Sequence, residues 1–317
     1  MKRRVPQVPL EKTELLGFHA HPGTAVDYMN AVAEHIEHRK PLTVLYHNLH
    51  TLYGYFTSIE LKQSFDGTTI IVDGMGVLFL YKLAGFPLNR DNRLTYVDFI
   101  FPMMELGRDK SWRIFHIGQD SQTQQIAFDR IRAHAPGIVI DGQDGFFNKD
   151  TRGQDNIDLV QRINDFNADL LLVGLGTPAQ ELWVNANRAS LNTTVVMTCG
   201  SCMEYVAGKV GTAPRWMGRA GLEWLYRLFE DPRRFAWRYL VQPFLLFGHL
   251  WRHHRANSNR DSSSDSAQSS NSNSNSNSNS NSNSNSNSNQ INDIVDSNNR
   301  NDRNGRDDNN DQISNKP

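Results

Sequence analysis

The chain has 317 residues, with 33 Lys and Arg against 34 Asp and Glu, a formal net charge of -1 and two Cys. The net charge hides an asymmetry, since the tail after Arg260 is rich in Asp and the segment before it is basic. No nucleic-acid partner is expected, and two Cys cannot build the disulfide framework of a small secreted domain. The N-terminal MKRRVPQVPLEKTE has positive charge but no apolar segment of a signal peptide, so a cytoplasmic location is expected.

In chain order, Ala25 to His38 has helical apolar spacing, and Leu42 to Tyr46 is a short apolar strand ending near Asn48. A helix is predicted over Leu49 to Leu61, then a β-branched strand Thr69 to Val72 running into Asp73-Gly74-Met75-Gly76. Trp112 to Ile117, Ile138 to Ile140, Leu170 to Val173 and Thr194 to Met197 read as further strands. Helices over Thr123 to His134, Ile157 to Phe166 and Pro178 to Ala189 alternate with them. Near-continuous apolar strands alternating with helices predict an α/β fold with a mostly parallel sheet covered on both faces. Ligands of such sheets sit beyond the carboxyl ends of the strands. The expected rim is therefore Asn48, Asp73-Gly74, Gly118, Asp141-Gly142, Gly174-Leu175-Gly176 and Cys199-Gly200.

Asp73 emerges at a strand end and admits two roles, a general base with a pKa raised by burial or a cap of the next helix. Gly174-Leu175-Gly176-Thr177-Pro178 brings backbone close to the start of a helix, where Gln180 and Glu181 face the same cleft. It is not a dinucleotide fingerprint, which argues against an NAD-dependent oxidoreductase. Cys199-Gly-Ser-Cys202 lacks the two further ligands a zinc site needs, no His cluster offers a metal site, and no D-x-D motif occurs. No metal or cofactor is expected.

Between Arg215 and Arg255 eight Arg face three acids, with Trp interleaved. This block reads as two amphipathic helices broken by Pro232, with Arg234 and Arg238 at i, i+4 spacing on one face. Arg beside aromatic residues suits phosphate and a bilayer interface, and equally the solvated face of a packed helix. The longest apolar run, Tyr239 to Trp251, carries Gln242, Pro243 and Gly248 and falls short of the ~20 residues of a spanning helix. From Ala256 onward the chain is Ser, Asn and Asp, with strict alternation from Asn271 to Asn289, and is predicted to be disordered. The expected organisation is an N-terminal extension over 1–24, a core over 25–210, a basic aromatic helical appendage over 211–256 and a tail over 257–317.

The motifs DGMGVLFLYKLAG, GFF, VGLGTPAQELW, AGKV and GLEWLYRLFEDPRR, in this order and spacing, resemble the WecG/TagA/CpsF glycosyltransferases. The resemblance spans Ala25 to Val241. It implies a Rossmann-like core whose C-terminal appendage completes the site at the membrane. It also implies a metal-independent, inverting transfer of a hexosyl or N-acetylhexosaminyl group from a UDP-sugar to an undecaprenyl-pyrophosphate-linked sugar, in surface-polysaccharide assembly. The enzyme would be peripheral on the inner face of the membrane, with room for a homo-oligomer. The alternative is a catalytically inactive member of the same fold that binds membrane or polyanion.

By the same resemblance Asp73 is the base, and Arg227, Arg234 and Arg238 neutralise the departing diphosphate. Asn48, Arg93, Gln180 and Glu204 join them as substrate-binding residues. The chain departs from the family pattern in several places. Tyr46 stands for the Thr of T-x-N, Thr95-Tyr96-Val97 precedes Asp98 where a Gly is usual, and Phe146 replaces a Tyr. Glu204-Tyr205 stands for a Phe-Asp pair, and Thr212 for an Arg. These departures bear on the sugar more than on the reaction, so N-acetylmannosamine is not assumed as donor.

Overall fold

The structure is a computed structural model that describes residues 10–15, 17–211, 214, 217 and 222–252. The side chains of Val97, Asp98 and Arg234, together with Thr212 and the Ser/Asn-rich tail expected over 257–317, lie outside the described residues. Six parallel strands form the central sheet: β3 (Leu42–His47), β4 (Thr69–Val72), β5 (Arg113–Gly118), β6 (Val139–Gln143), β7 (Leu170–Gly174) and β8 (Val195–Thr198). A hairpin of β1 (Thr13–Leu15) and β2 (Phe18–Ala20) precedes them. The sheet order is β4-β3-β8-β7-β5-β6. From β4 the chain crosses to the far side of the sheet and then works back, so β3 and β8 meet where the winding reverses. Ligand crevices open at such a reversal, beyond the carboxyl ends of the strands.

Side chains alternate between the two faces, as the pleat requires. Val44, Ile71, Ile114, Leu170, Leu172 and Met197 face one layer, with α1 (Ala25–Glu37), α5 (Tyr96–Asp109), α6 (Ser121–His134) and α9 (Cys202–Val206). Phe115, Ile117, Leu171, Val173 and Val196 face α7 (Gln154–Asp165) and α8 (Ala179–Asn187) on the other side. Leu45, Ile70 and Val72 face α2 (Leu49–Thr57), α3 (Ile59–Ser64) and α4 (Met75–Leu83). Each fully buried aliphatic side chain contributes about 1.5–3 kcal/mol relative to exposure.

The single helix expected over Leu49 to Leu61 is two helices. Ser58 adopts extended backbone and its hydroxyl accepts from the Leu61 amide, which caps a new helix and breaks the old one. Two buried histidines brace the layers. His47 stacks on Phe18 with ring centroids 3.9 Å apart, and the Gln124 side-chain amide donates to His116 Nδ1 at 2.9 Å. Burial pushes both imidazoles down to a pKa of about 3, so each is neutral in the folded protein.

The chain closes with α10 (Glu223–Glu230) and α11 (Pro232–Ala236), then a π-helical turn Trp237–Val241 that continues as helix over 242–252. Pro232 takes the first helical position, where its missing N–H costs nothing. The last helix docks through Leu246 and Leu250 against the Leu45, Leu52 and Tyr55 cluster. No helix among the described residues is long and apolar enough to cross a membrane.

Candidate active site

Asp73 follows β4, and its side chain is half-buried. It caps nothing: the N-cap of α4 is Gly74, at φ +88, with no side-chain cap. Of the two roles open to it, the cap is therefore excluded. Desolvation raises its pKa above the ordinary carboxylate value, against the pull of Arg227, Arg93 and Arg238 and with a push from Glu223.

Two cavities meet at Asp73. One, of about 490 Å³, runs between the start of α4 and α10 and is lined by Leu49, Met75, Val77, Phe79, Trp224 and Pro243. The other, of about 520 Å³, is more polar. It lies over the ends of β3, β7 and β8, with Tyr46, Thr177, Ser201, Glu204, Tyr205 and Lys209 in its wall. Asn48, His50, Asp73, Arg227 and Arg238 line both. These five residues form the wall that the two cavities share.

The structure brings together Asp73, Asn48, Arg93, Glu204, Arg227 and Arg238 from the sequence expectation. Asn48 does double duty. Its Oδ1 accepts from the His50 and Thr51 amides as the N-cap of α2, while the residue lines both cavities. Arg93 lines the apolar cavity and forms a two-pronged pair with Glu223 of α10, both contacts 3.2 Å, which ties the core to the appendage. Removing the Glu223 carboxylate is expected to cost about 1–2 kcal/mol, less than at a fully buried pair, because Arg93 then loses one of its anionic contacts. Thermal unfolding of Glu223→Ala checks this.

Gln180 requires a correction. It is fully buried and lines neither cavity, because α8 turns it toward the sheet. Its Oε1 accepts from the Gly200 amide at 3.1 Å and its Nε2 donates to Glu181 at 2.9 Å, so it fastens the loop after β8 to α8. Glu181 is buried as well. Desolvation raises its pKa, although Gln180 and Thr177 donate to it. The Arg234 side chain lies outside the described residues.

The sequence reading missed His50. Its Nδ1 lies 2.8 Å from Gln242 Oε1, so it joins α2 to the last helix at the edge of both cavities. Desolvation, followed by Arg238, lowers its pKa. Tyr205, named in the sequence only as a departure from the family pattern, has its ring under the Arg227 guanidinium at 5.5 Å, and Lys209, whose Nζ pairs with Asp120 at 2.7 Å, was missed. The Cys pair is buried, and desolvation raises both thiols well above their ordinary value, which opposes thiolate chemistry. Among the described residues no group of three or more His, Cys, Asp or Glu is placed to hold a metal ion.

A parallel sheet with a carboxylate and guanidinium groups at its strand ends, and paired cavities beside them, is the arrangement of a group-transfer enzyme that handles an anionic leaving group. The chain belongs to the WecG/TagA/CpsF family of glycosyltransferases, whose family description matches residues 13–260. Similar proteins include the N-acetylglucosaminyldiphosphoundecaprenol N-acetyl-beta-D-mannosaminyltransferases of Bacillus spizizenii and Bacillus subtilis. Each is 29% identical to this chain, over 60% and 56% of its length and 70% and 69% of theirs. The enzyme of that name from Staphylococcus aureus is 25% identical over 52% of this chain and 62% of its own.

Proposed function

We propose that the protein transfers a hexosyl or N-acetylhexosaminyl group from a UDP-sugar to an undecaprenyl-pyrophosphate-linked sugar, with inversion and without a metal ion, in surface-polysaccharide assembly. The observation that carries this reading is the position of Asp73 on the wall shared by a polar and a more apolar cavity. The polar cavity takes the UDP-sugar, and the apolar one takes the lipid-linked acceptor. The Asp73 carboxylate accepts the proton of the acceptor hydroxyl. That oxygen bonds to C1 of the donor as the C1–oxygen bond to the diphosphate breaks on the opposite face. UDP leaves with its charge facing Arg227 and Arg238, which act without the reorganisation that water would need. Release of UDP from a UDP-sugar, dependent on a short-chain polyprenyl-pyrophosphate sugar, tests the reading. Binding of UDP with no release under any acceptor would overturn it.

The appendage also supports a place for the protein at the membrane. Trp237, Leu240, Phe244, Phe247 and Trp251 are exposed and recur at i, i+3, i+7, i+10 and i+14, on one stripe of the helix, while Gln242, Leu246 and Leu250 face inward. Phe79 and Leu83 of α4 are exposed at i, i+4, and Phe79 lines the apolar cavity. Such a stripe flanked by Arg suits the bilayer interface, where the acceptor's lipid resides. Phe244→Ser with Phe247→Ser is expected to weaken binding to anionic phospholipid vesicles about tenfold or more. UDP affinity should be unchanged, and vesicle binding at the wild-type level would refute the assignment.

A further inference from the structure

Tyr46 lies next to the end of β3, in register with Ile71 of β4, so its side chain stands near the carboxyl ends of the strands. Its ring meets the Tyr96 ring edge-on at 5.7 Å. Its hydroxyl end lies against Gly200 in the loop after β8. That loop is fixed: the Gly200 amide donates to Gln180 Oε1, and the Gly200 carbonyl accepts from Gln119 Nε2 at 3.2 Å. A β-carbon at residue 200 would collide with the Tyr46 oxygen, and its φ of +53 independently favours glycine. Backbone thus approaches the phenol as closely as it can, and the ring is held from both sides.

This held ring forms part of the polar cavity's wall. Its hydroxyl makes no hydrogen bond to any described residue. Tyr46 also lies within electrostatic reach of Asp73, Arg238 and Glu181. A base that deprotonates the acceptor stands beside C1 of the donor, so a wall group near that base meets what C1's neighbours carry. Those neighbours are the ring oxygen, which carries no substituent, and C2. With C1 beside Asp73, a hydroxyl on C2 would stand beside the fixed phenol and could pair with its oxygen. An acetamido group there would bring a carbonyl and a methyl into space that the ring and the Gly200 backbone already fill.

We propose that Tyr46 sets donor specificity, and that the donor is a UDP-hexose with a free hydroxyl, not an acetamido group, at C2. This rests on the polar cavity being the UDP-sugar site. The test offers UDP-glucose, UDP-galactose, UDP-N-acetylglucosamine and UDP-N-acetylmannosamine to the wild type, Tyr46→Thr and Tyr46→Phe. Binding is read by calorimetry, and transfer by UDP release to a short-chain polyprenyl-pyrophosphate sugar. The wild type should favour the C2-hydroxyl donors at least about tenfold, and Tyr46→Thr should shift that ratio toward the acetamido donors by about tenfold or more. Tyr46→Phe, which keeps the wall, should weaken the C2-hydroxyl donors about tenfold without admitting the others. An acetamido donor handled by the wild type as well as a hexose, or a ratio unmoved by Tyr46→Thr while UDP still binds, overturns the inference and leaves glycosyl transfer standing. Failure of UDP and every donor to bind the wild type overturns the functional reading itself.

Discussion

Asp73→Asn is expected to lower kcat by about 10²- to 10⁴-fold, while UDP-sugar affinity changes by no more than about threefold. Asparagine keeps the size of the side chain and loses only the proton acceptor, and no hydrogen bond from Asp73 to a described residue is at stake. The pH profile supplies an independent readout. The base must be ionised, so activity rises with pH through the Asp73 pKa. Desolvation places that limb above the ordinary carboxylate value of 3.8. The Asn variant should lose the limb. Stability should move the other way from activity. A carboxyl whose folded pKa is raised binds its proton more tightly in the folded state, so ionising it as pH rises weakens the fold. Removing it should therefore leave the Tm at neutral pH equal to or above the wild-type value. Retention of a tenth or more of the activity by a folded Asn variant would sink the assignment.

The sheet was legible because its strands are continuous apolar runs bounded by Gly and Asp. β5, β7 and β8 fall within a residue or two of their expected positions. α4 and α5 were not. The α4 sequence MGVLFLYKL is apolar nearly all round, so it shows no helical period, and α5 carries Pro102 in its interior, which reads as a breaker. The β1–β2 hairpin has strands of three residues each, too short to show alternation, although Phe18 and Ala20 are wholly buried.

The site was legible where one strand end sufficed. Asp73 and Asn48 announce themselves by following apolar strands and Arg238 by its place in the basic aromatic block, whereas Arg227 is picked out only by the family resemblance. His50 could not be found in this way, because it matters only once the last helix returns to it, 192 residues later. Glu223 likewise gains its meaning from Arg93, 130 residues away, and Tyr46 from Gly200 across two adjacent strands. Gln180 shows the opposite error. Position at the start of a helix suggested a cleft-facing side chain, but the helix's first turn points it at the Gly200 loop, which needs an acceptor for its amide.

Arg227→Ala is expected to lower kcat by about 10²- to 10³-fold, as loss of one group that stabilises developing charge does elsewhere. Burial alone would lower the Arg227 pKa, but Tyr205, Tyr239 and Asp73 around it outweigh that and hold it above its ordinary value. It is therefore a permanent cation, fixed over the Tyr205 ring and lining both cavities, where the proposed reaction releases its diphosphate. The same guanidinium is the largest influence drawing the Asp73 pKa down. Its loss should thus act twice, slowing departure of UDP and moving the acidic limb of the pH profile further up. Arg227→Lys should restore the limb more fully than the rate, since a point charge replaces the field but not the planar fork that grips two phosphate oxygens. Vesicle binding should stay at the wild-type level in both variants. If instead vesicle binding fell while transfer held, Arg227 would be a lipid contact, and the neutralisation of the leaving group would pass to Arg238 across the cavity.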